Sequence, residues 1–226
     1  MRKFITIGAA FALAGVASAA FNLQITEVYE GAPGEDATAD WIEITNFGDM
    51  AYDFGVDGNL FFDDGSADPT VDAQLTGFSS IGAGESVVLV LSTDTADVIE
   101  FIAAWGAGNL AGVQIGSLLN DAPGLGQGGE DVFLFDANTL GAGVIDSTSY
   151  LGSDNGGVAG STWTWSGDAN TLSTSSVLGV NGAFQGVAFA GDAGEYALIG
   201  SPGAIPAPGV AGLFGLGGLA AARRRR

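Results

Sequence analysis

Cysteine and histidine are absent from this 226-residue chain, and no lysine or arginine occurs between Lys3 and Arg223. Without His or Cys, neither Ser-His-Asp nor Cys-His catalysis is possible, and a structural zinc site is disfavoured. No disulfide contributes to stability. The base-free stretch forms no Lys/Arg salt bridge and neutralises no phosphate, which argues against a nucleic acid partner and against anionic membrane surfaces for the mature part. What it does carry is acid. All 26 Asp and Glu fall between Glu27 and Glu195, a formal charge of −26. Such density favours solubility and repels like molecules, at some cost in stability at low ionic strength.

The six bases stand at the two ends, as Arg2 and Lys3 and as Arg223, Arg224, Arg225 and Arg226. Arg2 and Lys3 precede an apolar run over 4–16 and the small residues Ala17-Ser18-Ala19. This order predicts a signal peptide over 1–20, cut after Ala19 or Ala20, with Ala17 and Ala19 as the small cleavage-site residues. The run falls short of the ~20 residues that cross a bilayer. At the other end, Pro206-Ala207-Pro208-Gly209 precedes an apolar, glycine-rich run over 210–222 and then the four arginines. As a helix that run rises only about 20 Å, against a hydrocarbon core of ~30 Å. The arginines would hold the tail on the cytoplasmic side.

The tail resembles the PEP-CTERM sorting signal of bacterial surface proteins, with Ala207 in place of the usual glutamate. The resemblance implies an exosortase-like processing enzyme as partner. It assigns sorting to Pro206, Pro208 and Arg223, Arg224, Arg225 and Arg226, in a segment over 206–226 whose apolar helix over 210–222 makes transient membrane contact. It places the product at the cell surface or outside the cell. A tail retained as a simple membrane anchor is the alternative.

Removing both ends leaves 21–205, a length suited to one domain. Gly and Asp punctuate it about every ten residues, with short apolar runs between. Strands are expected at 21–29, 41–46, 59–62, 86–91, 131–135, 144–150 and 161–165, a spacing that points to an antiparallel sandwich or barrel. In the first, alternation puts Leu23, Ile25 and Glu27 on one side, with Thr26 and Val28 nearer the other. In the second, Ile42 and Ile44 share a face. Over 95–105, Val98, Phe101, Ile102 and Trp105 follow helical spacing, with Asp94 or Thr95 as N-cap and Gly106 and Gly108 as terminators. This single helix is expected to cover an edge or end of the sheets. Residues 156–186 read as further strands or as a long loop.

The order of motifs carries a second resemblance. Leu23-Gln24-Ile25-Thr26-Glu27-Val28 is followed by Asp40-Trp41-Ile42-Glu43-Ile44-Thr45-Asn46, then by Ile81-Gly82-Ala83-Gly84-Glu85-Ser86-Val87-Val88-Leu89-Val90. Leu119-Asn120-Asp121, Gly129-Glu130-Asp131-Val132-Phe133-Leu134-Phe135-Asp136 and Val144-Ile145-Asp146-Ser147-Thr148-Ser149-Tyr150 come next, and Gly200-Ser201-Pro202-Gly203-Ala204 closes the series. The series resembles a lamin tail domain. That resemblance implies an immunoglobulin-like β-sandwich and a binding or structural module in place of a catalyst. The chain departs from the family pattern in an acidic stretch over 52–77 and a long stretch over 153–195.

Three groups of residues offer chemistry. Asp63, Asp64 and Asp68 are the densest acidic group, and calcium favours several oxygen ligands on a flexible loop. Their order fails the EF-hand spacing, and a solvated loop is the competing reading. Trp163 and Trp165 share a face if they lie in a strand. They form a glycan platform if exposed and core if inward. Glu27 and Glu43 are the one carboxylate pair to consider for glycoside hydrolysis, a reaction needing only two acids. Both fit equally an ordinary acidic position on the outer face of a strand.

The combined expectation is an exported, non-enzymatic structural or adhesion protein of the cell surface or extracellular matrix. Its partners would be extracellular polysaccharide or surface proteins, and its only candidate cofactor Ca2+. The alternatives are a carbohydrate-binding module using Trp163 and Trp165, and a carboxylate-only glycoside hydrolase.

Overall fold

The computed structural model describes residues 20–32, 36–165, 171–191 and 194–204. The expected signal peptide with Ala17 and Ala19, and the sorting segment with Pro206, Pro208, Arg223, Arg224, Arg225 and Arg226, lie outside the described residues. Among the described residues no helix is long and apolar enough to cross a membrane.

The fold is all-β with one short helix. In chain order the strands are β1 (Leu23–Tyr29), β2 (Trp41–Asn46), β3 (Tyr52–Asp53), β4 (Phe61–Asp63), β5 (Ala73–Thr76), β6 (Ser80–Ile81) and β7 (Ser86–Val90). Helix α1 (Thr95–Trp105) separates these from β8 (Gln114–Asn120), β9 (Asp131–Phe135) and β10 (Val144–Tyr150). The remainder comprises β11 (Trp163–Thr164), β12 (Thr171–Leu172), β13 (Thr174–Ser175), β14 (Phe184–Gly191) and β15 (Gly194–Gly200). The described residues of 156–186 are therefore mostly loop carrying short strands.

The hydrogen-bonded order runs β12-β10-β9-β4-β5-β8-β7-β2-β1-β11-β13. Strand β8 is the corner. Its first residues pair in parallel with β7, from Gln114 to Gly116, and its later ones antiparallel with β5, from Ser117 to Asn120. The two halves of the sheet fold over one apolar core. Ile25, Ile44 and Leu89 come from the β1-β2-β7 half and meet Phe62, Leu118 and Leu134 from the other.

A second core lies on the opposite face of β1, β2 and β7. There Tyr29, Trp41, Val88 and Val90 are covered by Phe101, Ala104 and Trp105 of α1 and by Leu198 of β15. Trp41 meets Trp105 edge-on at 5.6 Å and Phe101 at 5.5 Å. Helix α1 thus covers a sheet face where an edge or end was expected. Its bounds follow from local chemistry. Asp94 Oδ1 accepts the Ala96 N–H at 2.8 Å as N-cap, and Gly106, at φ +83°, terminates the last turn by donating to the Ile102 carbonyl. Because both faces are covered, β2 and β7 are buried along their whole length.

One irregularity reorders the faces of β1. Ile25 pairs with Ile44 and Glu27 with Glu43, so Thr26 is an extra residue. Such a bulge re-aims the side chains that follow it. Val28 therefore joins Leu23 and Ile25 in the first core, and Glu27 turns to the other face beside Tyr29. The strict alternation expected for this strand is corrected at that point.

Candidate functional site

Glu27 and Glu43 stand directly opposite each other on neighbouring antiparallel strands. Each is 1 % exposed, which corrects the outer-face reading of both. Directly opposed residues in such a pair have Cβ atoms about 4.5–5.5 Å apart, where like charges are destabilising. No base lies between Lys3 and Arg223 to offset them.

Hydroxyls and backbone amides take that role. Glu27 Oε1 accepts the Ser201 N–H at 2.8 Å and the Thr162 hydroxyl, with the Ser176 hydroxyl further off at 3.4 Å. Its Oε2 accepts the Ser201 hydroxyl at 3.0 Å. Glu43 Oε1 accepts the Thr26 hydroxyl at 2.6 Å, and its Oε2 the Gly203 N–H at 2.7 Å. The bulge puts Thr26 on this face, where its hydroxyl also meets Thr45 Oγ1 at 2.9 Å; Thr45 in turn meets Ser86 Oγ at 2.6 Å. Gly200 lets the chain pass, since a Cβ there would lie 2.7 Å from Thr162 Cγ2, 2.9 Å from Trp105 Cη2 and 3.0 Å from Glu27 Oε1.

Burial raises both carboxyls above the usual carboxylate range, Glu43 well above it, with the neighbouring Glu27 charge as the next cause. Donors from Thr162, Ser201 and Ser176 oppose the rise at Glu27. Like charges this close do not both ionise readily, and the pair titrates as a unit. Glu27 has the larger set of short donors, which favours its ionised form.

A second acidic group surrounds the chain at the end of β1. Burial raises Asp40 to about 6, against a Leu125 N–H that donates to its Oδ2 at 2.8 Å. Asp36 and Glu30 are also raised, chiefly by burial.

The other sequence candidates are not assembled into sites. Asp63 is buried, and its Oδ2 accepts from Ser66 Oγ at 2.8 Å and the Asp68 N–H at 2.5 Å. Asp64 Oδ1 accepts the Ser66 N–H at 3.3 Å, and Asp68 Oδ1 the Thr70 N–H at 2.9 Å. These carboxylates shape their own turn, and among the described residues no group of three or more acids converges to hold a metal ion. Trp163 is 3 % exposed and belongs to the first core. Trp165 packs against that core and lies 5.4 Å from Phe47, its indole N–H buried without a partner. Trp163 therefore presents no open face to a sugar ring, while Trp165 is half-buried.

Thr26, Thr45, Ser86, Thr162, Ser176, Ser201 and Gly203 were not singled out from the sequence. One signal was present. Trp41, Glu43 and Thr45 alternate onto one face of β2, so a buried Trp41 already implies a buried Glu43. No protein-family model, curated protein or solved structure matches this chain.

Proposed function

We propose that the chain is an exported, non-catalytic structural or adhesion module of the lamin-tail type, an immunoglobulin-like sandwich delivered to the cell surface or matrix by an exosortase-like system. The observation that carries the non-catalytic part is the burial of Glu27 and Glu43. They are the carboxylate pair considered for base-free glycoside hydrolysis, and a retaining or inverting mechanism needs both acids to flank a bound sugar. Here the second core and residues 201–203 cover them. Export rests on the order of elements at the two termini, and the lamin-tail reading on the ordered motifs from Leu23 to Ala204. The frame would present its loops to polysaccharide or to surface proteins, with its acidity limiting self-association.

The test is the intact mass of the native protein from cell-surface and medium fractions. A product starting after Ala19 or Ala20 and ending near 206–209 is expected. A mass retaining Arg223, Arg224, Arg225 and Arg226 would overturn exosortase processing. Hydrolysis of any member of a broad glycan panel, abolished by Glu43→Gln, would overturn the non-catalytic reading.

A further inference from the structure

We infer that the outer face of β9 and β10 is a binding site for an uncharged sugar ring, with Phe133 as its floor and Asp131, Ser147 and Ser149 as its polar rim. The inference rests on the non-catalytic, polysaccharide-facing reading above and moves the contact from the loops to a sheet face.

Strand register assembles the site. Residues directly opposite each other in an antiparallel pair share a face, and successive residues alternate between faces. Ser147 stands opposite Phe133, and Ser149 opposite Asp131. The residues that alternate with them, Val132, Leu134, Thr148 and Tyr150, are buried, so these take the inner face and the first four the outer one. There Asp131 is exposed, and Phe133, Ser147 and Ser149 are half-buried. Together with Thr148 they line an open depression of about 160 Å³. The β1-β2-β7 half of the sheet is closed on its outer face by α1 and β15, whereas β9 and β10 keep these side chains in contact with solvent.

The floor is set in one orientation. Phe133 lies nearly parallel to Phe135, with ring centroids 5.9 Å apart and planes 14° apart, and Phe135 is itself buried. Directly opposed side chains start about 4.5–5.5 Å apart, and residues two apart on a strand roughly 7 Å apart. The polar groups therefore surround the Phe133 ring at a spacing that one sugar ring covers. Thr171 of β12 stands beside Ser149 and extends the row of hydroxyls.

Each part selects a property of the ligand. The ring offers flat apolar area to a flat C–H face. The carboxylate of Asp131 only accepts, so it calls for donors such as ligand hydroxyls, while serine hydroxyls donate or accept. A wholly apolar ligand would take these groups out of water without replacing their hydrogen bonds. Charge completes the selection. All 26 Asp and Glu, and no base, lie between Glu27 and Glu195, so a uronate, sulfated or phosphorylated glycan is repelled and meets no counter-charge. A neutral sugar, with one apolar face and a hydroxyl edge, satisfies all of these conditions.

Affinity electrophoresis of the full chain tests this, in gels containing hydroxyethyl cellulose, laminarin or galactomannan as neutral polysaccharides and alginate as the anionic one. Retardation by at least one neutral polysaccharide and none by alginate is expected. Phe133→Ala should weaken it by about tenfold or more, and Asp131→Ala by about threefold or more. Free migration in all three neutral gels would overturn the site, and retardation unchanged in both variants would overturn its placement on β9 and β10. Alginate retarding the chain as strongly as the neutral polysaccharides would overturn the selection by charge. If Phe133→Ala does not fold, the change at exposed Asp131 decides alone. A failure here leaves export and the absence of catalysis standing, since those are read from terminal masses and from glycan hydrolysis.

Discussion

Gly200→Ala probes the carboxylate site at its tightest point. The added methyl would stand 2.7 Å from Thr162 Cγ2, 2.9 Å from Trp105 Cη2 and 3.0 Å from Glu27 Oε1. None of the three yields easily. Trp105 is wedged edge-on against Trp41 and Phe184. Thr162 and Glu27 are tied to each other and to Ser176. Overpacking of this kind costs about 1–3 kcal/mol, and loss of one hydrogen bond to a buried carboxylate adds roughly 1–3 kcal/mol. Restricting the unfolded chain returns only about 0.4–1 kcal/mol. The net is a destabilisation of about 2–4 kcal/mol. At about 2–4 °C per kcal/mol for a domain of this size, Tm should fall by roughly 5–15 °C.

Thermal unfolding followed by tryptophan fluorescence and circular dichroism at pH 6 measures this. Gly108→Ala is the control, because nothing lies within 4 Å of a Cβ at that position. It should leave stability within about 0.5 kcal/mol. A Gly200→Ala protein melting within about 2 °C of wild type would refute the close packing of β15 against Glu27.

Stability should rise as pH falls from 8 to about 5, the reverse of a fold held by carboxylate salt bridges. Burial raises Glu27, Glu43 and Asp40 above their unfolded values, so their contribution is complete below the ordinary carboxylate range and is lost as pH climbs through the folded values. For Asp40, raised from 3.8 to about 6, the full loss is about 3 kcal/mol; a Tm that falls steadily from pH 8 to pH 5 would contradict this. Trp163→Ala should destabilise by about 3–5 kcal/mol as a core truncation, whereas an exposed sugar platform would leave Tm nearly unchanged on substitution. Calcium should shift Tm no further than magnesium at equal ionic strength, since the oxygens of Asp63 and Asp68 are committed to their own turn; a calcium-specific rise would show that the loop rearranges to bind it.

Much of the frame could be read from local pattern. Helix α1 was legible because period, N-cap and terminal glycine agree, β2 because its residues alternate cleanly, and β9 and β10 because short runs of strand-forming residues lie between turn signals. Strand β8 was not, because Gly116 interrupts its pattern. That glycine is required, as a Cβ there would come 2.3 Å from both the Thr76 carbonyl and the Phe78 ring. The β14-β15 ribbon is rich in glycine and alanine, and its side chains are mostly half-buried or exposed. It therefore carries no strong alternation. The bulge at Thr26 left no local mark, although it decides which face Glu27 occupies. The donors to Glu27 lie 135 to 174 residues away from it, beyond the reach of any local pattern.

The chemistry of the site follows from what the chain lacks. A buried carboxylate ordinarily needs a cation or a dense set of hydrogen bonds, and removing one partner of a buried ion pair is strongly destabilising because it strands the other charge. A base-free domain cannot be damaged in that way, but it must satisfy each buried acid with neutral donors or with a proton. Glu27 is held by hydroxyls and an amide, and Glu43 by an amide and a hydroxyl. Neutral donors reach a carboxylate only at hydrogen-bond distance, so the site draws in chain segments far apart in sequence and closes on the last of them. The same economy makes it sensitive. With no positive side chain among the described residues, the pair depends on its neutral donors, and those from 201–203 reach both carboxylates.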